Sequence, residues 1–72
     1  MHLTLDQLEV LESIDRLGSF SAAARHLGRA TSAVSYAIKS LEAALDVELF
    51  DRSGHRAELT RAGQLILAEG NE

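Results

Sequence analysis

No Asp or Glu occurs between Asp15 and Glu42, and the same window carries Arg16, Arg25, Arg29 and Lys39. The hydroxyls of Ser19, Thr31, Ser32, Ser35 and Tyr36 are interleaved with these cations. Cationic side chains beside neutral hydrogen-bonding groups, with no carboxylate among them, suit the gripping of phosphate and the reading of base edges. Arg52 and Arg56 make a second basic point further along, on either side of a Ser-Gly-His turn. The chain as a whole is acidic, with 7 Lys and Arg against 11 Asp and Glu and a net charge of -4. A polyanion responds to the local field, so the net charge does not exclude nucleic acid. The acidic remainder (Asp6, Glu9, Glu12, Asp15 and Glu42 onward) lowers non-specific affinity, and binding is expected to be weak and salt-sensitive.

Other chemistries are poorly served. The chain has no cysteine, which excludes disulfides and thiolate-metal sites and is compatible with a reducing cytosol. His2, His26 and His55 lack the spacing of metal ligands. Asp51, Ser53 and His55 resemble a nucleophilic set only superficially. Side chains alternating along one tight hairpin do not form the required hydrogen-bond line, and no pocket or oxyanion donor accompanies them. Neither an enzyme nor a bound cofactor or metal is expected. A chain of 72 residues has room for one domain and buries only about 60% of its unfolded surface, so its core is modest. No basic stretch followed by an apolar run opens the sequence, and no segment approaches the ~20 apolar residues of a membrane span. This predicts a soluble cytoplasmic protein.

The elements that must hold the basic window are legible from local signals. Thr4 with Gln7 forms a capping box, flanked by Leu3 and Leu8 as a hydrophobic staple. Val10, Leu11, Ile14 and Leu17 then give one apolar stripe that ends near Gly18. Ser19 is a natural N-cap for a second helix, whose Phe20 and Ala22 to Ala24 allow close helix approach. Gly28 breaks the chain, and a third helix runs from Thr31 to Leu45 with Val34, Ile38, Leu41 and Leu45 on one face. Proline is absent, so glycine is expected to supply the punctuation. Leu49 to Arg52 and Ala57 to Leu59 read as paired strands around Ser53 to Arg56, with Gly54 able to take a positive φ. Thr60 can cap a last helix with Ala62, Leu65 and Ile66 on one face and Leu67 elsewhere. Because that helix stops at Gly70-Asn71-Glu72, a longer element cut short is expected.

This order predicts a mainly α winged helix-turn-helix with a three-helix core, a two-stranded wing and the start of a C-terminal linker helix. Residues 1–59 form the domain, with the helix-turn-helix at about 19–45 and the wing at about 49–59, and residues 60–72 begin the last helix. Two short helices split by glycine fit docking into a major groove. The polar face of the third helix offers Thr31 and Ser32, near its positive end, for phosphate or base contact. It offers Ser35 and Tyr36 for base edges or a thymine methyl, and Lys39 for phosphate. Ser19 caps and can also donate to phosphate, while Arg29 in the turn is a candidate phosphate contact. Arg52 and Arg56 would lie over the backbone or reach a narrow minor groove. The plainer reading of Arg52 is a surface pair with Glu48 or Asp51. Phe20 and Phe50 belong to the core. The acidic first helix favours a second class of function, a winged-helix module that binds protein.

Leu5, Leu8, Leu11, Gly18-Ser19-Phe20, Ala23-Ala24, Leu27, Ala33-Val34-Ser35, Ile38, Leu41-Glu42, Leu45, Leu49-Phe50, Arg52, Leu59-Thr60 and Ala62-Gly63 together resemble the N-terminal domain of LysR-type transcriptional regulators. The likeness covers nearly the whole chain. It implies a linker helix at residues 60–72 that dimerises, and double-stranded promoter DNA with interrupted A·T-rich dyads as partner. It also implies a homodimer able to form tetramers in the intact protein, located on the bacterial nucleoid. A small-molecule effector would act only through a C-terminal domain outside these residues. The sequence departs from Ser-Gln-Pro-Ala-Val-Ser-Arg, common in the family, by reading Ala30-Thr31-Ser32-Ala33-Val34-Ser35-Tyr36. Thr31 or Ser32 is therefore expected to cap the third helix in place of the missing serine, shifting its start by a residue or leaving it less firmly fixed. Tyr36 stands where arginine is common, and a phenol cannot make the bidentate contact of a guanidinium with guanine O6 and N7.

Overall fold

The computed structural model describes residues 3–70; His2, Asn71 and Glu72 lie outside them. The elements in order are α1 (Leu5–Leu17), α2 (Phe20–Leu27), α3 (Thr31–Leu45), β1 (Phe50–Asp51), β2 (Glu58–Leu59) and α4 (Arg61–Gly70). This is the mainly α winged helix-turn-helix expected, and no helix among the described residues is long and apolar enough to cross a membrane.

Local chemistry sets most boundaries. The Gln7 amide donates to Thr4 Oγ1 and the Thr4 amide to Gln7 Oε1, each at 3.0 Å, completing the capping box of α1. Gly18, at φ 76°, closes α1 by donating its amide to the Ile14 carbonyl. Ser19 Oγ accepts the Ala22 amide at 2.9 Å and so starts α2, while Gly28 at φ 69° ends it. Two expectations about α3 fail. Its N-cap is Ala30, with no side-chain cap, so neither Thr31 nor Ser32 replaces the missing serine, because both already lie inside the first turn. Its C-cap is Asp46 in the left-handed conformation at φ 55°, so glycine is not the sole punctuation. Aspartate tolerates that region better than most residues.

Val10, Leu11 and Ile14 of α1 are fully buried against Ala23 and Ala24 of α2 and Val34, Ile38 and Leu41 of α3, while Leu17 is half-buried. Small residues on α2 let the three helices close around this centre. The wing is tied on by three features. Leu49 is fully buried, its amide donates to Glu42 Oε2 at 2.7 Å, and the rings of Phe20 and Phe50 meet edge to face at 5.6 Å. The wing strands are antiparallel, pairing Phe50 with Leu59 and Asp51 with Glu58. Their turn does not use a positive φ at Gly54; Asp51 Oδ1 instead accepts the Ser53 amide at 2.9 Å and hydroxyl at 2.7 Å. Such an aspartate-centred turn replaces the glycine geometry.

Thr60 caps α4 as expected, accepting the Gly63 amide at 3.1 Å. The helix sits with Gly63 and Ile66 buried and Leu67 packed against the core, whereas Leu65 is 57% exposed. The expected roles of Leu65 and Leu67 are thus reversed. Close approach sets this rotation, because a Cβ at position 63 would stand 2.4 Å from the Leu49 carbonyl oxygen.

Candidate nucleic-acid interface

Burial of Val34, Ile38 and Leu41 turns the opposite face of α3 outward. Thr31, Ser32, Tyr36 and Lys39 are exposed, Tyr36 at 73%, and Ser35 is half-buried. Because no side chain caps the helix, the amides of its first turn carry the positive end of the dipole at the same place as the hydroxyls. Glu42 on the same helix spends its carboxylate on the Leu49 amide. An open cleft of about 350 Å³ joins the start of α2, the start of α3 and the wing, and is bordered by Ser19, Ser21, Thr31, Arg52 and His55.

The arginines divide. Arg52 places its guanidinium 3.7 Å from the centre of the Phe20 ring, which holds it between the wing and α3. It does not pair with Glu48 or Asp51, the latter being engaged by Ser53. Arg56 reaches back to α1. It crosses Gly18 and donates from Nη2 to the Asp15 and Arg16 carbonyls at 3.2 and 3.3 Å. A cation there complements the negative end of α1, and the side chain stays exposed at the base of the wing. Arg29 is also engaged, through both terminal nitrogens, by the carboxylate of Asp6. Each group favours the charged form of the other, so the Asp6 carboxyl is held below the usual range and the Arg29 guanidinium above it. Ser19 is occupied by capping and by Ser21 Oγ at 3.1 Å. Arg16 pairs with Glu12 and meets His26 Nε2 at 3.3 Å.

The structure therefore brings together Thr31, Ser32, Ser35, Tyr36, Lys39 and Arg52, with Ser19 beside them. Sequence reasoning missed Asp6, and no spacing signal links it to Arg29. It also missed Phe20 as a seat for Arg52, since a buried aromatic reads only as core. The Asp51, Ser53, His55 set forms no catalytic line, because Ser53 donates directly to Asp51. No group of three His, Asp or Glu among the described residues could hold a metal.

A family described as the bacterial regulatory helix-turn-helix proteins of the lysR family matches residues 5–64. The chain belongs to the LysR family. Relatives of this LysR domain include the probable HTH-type transcriptional regulator YhaJ of Escherichia coli, 56% identical over 94% of this chain and 23% of that protein. A probable RuBisCO transcriptional regulator of a Nostoc species is 51% identical over 96% of this chain and 20% of that protein. The chain thus spans under a quarter of the curated relatives' length. Among solved structures, the CbnR DNA-binding domain in complex with DNA superposes with a TM-score of 0.86 at 30% identity, over 96% of this chain and 79% of that one. The BenM DNA-binding domain bound to benA site 1 DNA gives 0.88 at 25% identity, over 96% and 78%. Both relatives are named as probable transcriptional regulators, and this LysR domain shares the fold of the CbnR and BenM DNA-binding domains over 96% of its length.

Proposed function

We propose that this LysR domain binds double-stranded DNA sequence-specifically, as the N-terminal module of a bacterial transcriptional regulator working in the cytoplasm on the nucleoid. One observation carries the reading: the outward face of α3 presents Thr31, Ser32, Tyr36 and Lys39, no Asp or Glu lies on α3 before the half-buried Glu42, which accepts the Leu49 amide, and Arg52 stands beside this face with Glu48 at its edge. The likeness to the DNA complexes of CbnR and BenM supports it. In this mechanism α3 enters the major groove with its N-terminal turn toward the bases. Ser35 and Tyr36 discriminate base edges or thymine methyls, Lys39 neutralises phosphate, Thr31 and Ser32 use the uncapped helix end, and Arg52 holds the wing on the backbone or minor groove. Ser19 adds a secondary contact at the start of α2. The intact protein acts as a homodimer on an A·T-rich dyad, with α4 leading into the dimerising helix, and senses a small molecule through a separate C-terminal domain. The functional unit is a regulator and not an enzyme.

Titration of the chain against labelled A·T-rich dyad duplex, repeated over a salt series, tests this. Affinity should fall linearly on logarithmic axes. Ser35→Ala and Tyr36→Ala should change which duplexes are recovered from a random pool, while Lys39→Ala weakens all of them alike. No binding at low ionic strength would overturn the reading in favour of a protein-binding module.

A further inference from the structure

Arg29 lies in the turn between α2 and α3, two residues ahead of Thr31, and its carboxylate partner comes from the first turn of α1. Both Asp6 oxygens are used, Oδ2 by Nη1 at 3.3 Å and Oδ1 by Nη2, an arrangement that satisfies the planar fork of the guanidinium. The two side chains stay in solvent, at 37% and 56% exposure, so each can reach a ligand. Lys39 and Arg52, the other cations beside the outward face of α3, form no ion pair among the described residues.

On the reading that the domain binds DNA, we propose that Asp6 is a built-in counter-ion of Arg29 that sets how tightly and how salt-dependently the domain holds the phosphate backbone. A free surface arginine attracts a phosphate by releasing condensed salt ions, and each phosphate neutralised this way adds about 0.9 to the logarithmic salt slope. Arg29 already carries its counter-ion within the fold. Its approach to the duplex brings Asp6 along, so the pair adds no net charge and releases nothing to solution. The domain loses affinity for DNA in general, and the neutral and hydroxyl contacts on α3 carry a larger share of its selectivity. The mutual stabilisation of the charged forms of Asp6 and Arg29 agrees with a standing pair at neutral pH.

The test compares four forms of the full chain on one short A·T-rich duplex by fluorescence anisotropy over a salt series: wild type, Asp6→Asn, Asp6→Asn with Arg29→Gln, and Glu69→Gln. Phosphate contacts are independent of sequence, so the natural operator is not needed. Asp6→Asn should bind up to roughly eightfold tighter at 0.1 M salt, with a slope steeper by about 0.9, the equivalent of one extra phosphate. The double variant, equal in net charge to wild type, should return to wild-type affinity and slope. Glu69→Gln removes the same charge from exposed α4 and should gain little. The proposal is overturned if Asp6→Asn gains no more than Glu69→Gln, or if the double variant binds markedly weaker than wild type, since Arg29 would then already serve phosphate. In either case salt-dependent binding by wild type leaves the DNA-binding reading intact. Wild type that binds no duplex at low salt overturns both. Circular dichroism checks that each form keeps its helices; the Thr4 and Gln7 cap of α1 is untouched by these changes.

Discussion

The guanidinium of Arg52 is stacked on the ring of Phe20, 3.7 Å from its centre, so the cation of the wing is seated on the first residue of α2. The same ring meets Phe50 of β1 edge to face. One aromatic side chain thus couples the helix-turn-helix to the wing and orients the charge between them. A cation over a ring at an exposed site contributes about 0.5–1 kcal/mol, enough to bias where a flexible arginine spends its time.

Removing only the orientation should therefore be measurable. Phe20→Leu keeps an apolar core residue but takes away the seat. We expect duplex affinity to fall about two- to fivefold, corresponding to that same 0.5–1 kcal/mol, with the salt slope unchanged. Arg52→Gln should instead lower the slope by about 0.9. Anisotropy titrations across a salt series distinguish the two, and unchanged affinity in Phe20→Leu would show that the stack is structural only.

The uncapped start of α3 predicts an easy gain. Ala30 already has the extended backbone of an N-cap, φ -70° and ψ 145°, but offers no acceptor. Ala30→Ser should stabilise the fold by about 1 kcal/mol. For a domain this small that raises the melting temperature by roughly 4–8 °C, readable by thermal circular dichroism.

Gly63→Ala should run against the usual rule. Inside a helix alanine is ordinarily better than glycine by about 1 kcal/mol. Here the added Cβ would stand 2.4 Å from the Leu49 carbonyl oxygen, a backbone atom with little room to move. Overpacking of this kind costs about 1–3 kcal/mol, so the melting temperature should drop and α4 should shift on α1. A stabilised Gly63→Ala would contradict the close approach of α4 to the Leu49 carbonyl.

Acid should weaken the fold through two aspartates. Asp51 is held below its ordinary value of 3.8 by the Ser53 amide and hydroxyl, and Asp6 below the same value by Arg29. A carboxyl depressed in the folded state binds fewer protons there than in the unfolded chain. Its stabilisation is complete above pH 3.8 and disappears as pH falls from there through the lower folded-state value. Urea unfolding midpoints should be flat against the titration of these groups at neutral pH and fall below about pH 4. Asp51→Asn should shrink that acid-side loss, and an identical pH profile in the variant would remove Asp51 from the account.

Helix starts, stops and apolar stripes were readable in the chain because their signals act over one turn. Thr4 finds Gln7, Ser19 finds the Ala22 amide, and Gly18 and Gly28 adopt the left-handed backbone that closes α1 and α2. The family likeness lay in the same local words, and the outward face of α3 followed from the spacing of Val34, Ile38 and Leu41. At Ala30 the cap residue is missing, and no neighbouring hydroxyl substitutes for it because Thr31 and Ser32 already lie inside the first turn.

What the amino-acid order by itself determined was the set of helices, the wing and which side of α3 faces out, since these depend on periodicity and on contacts three or four residues apart. The tertiary structure alone decided what each long side chain reaches. Arg29 meets Asp6 across 23 positions, Arg56 meets Asp15 across 41, Arg52 rests on Phe20, and α4 is turned by the fit of Gly63 against Leu49. An arginine samples many rotamers in the unfolded chain, and only the packing of distant elements brings one partner within reach and selects among them.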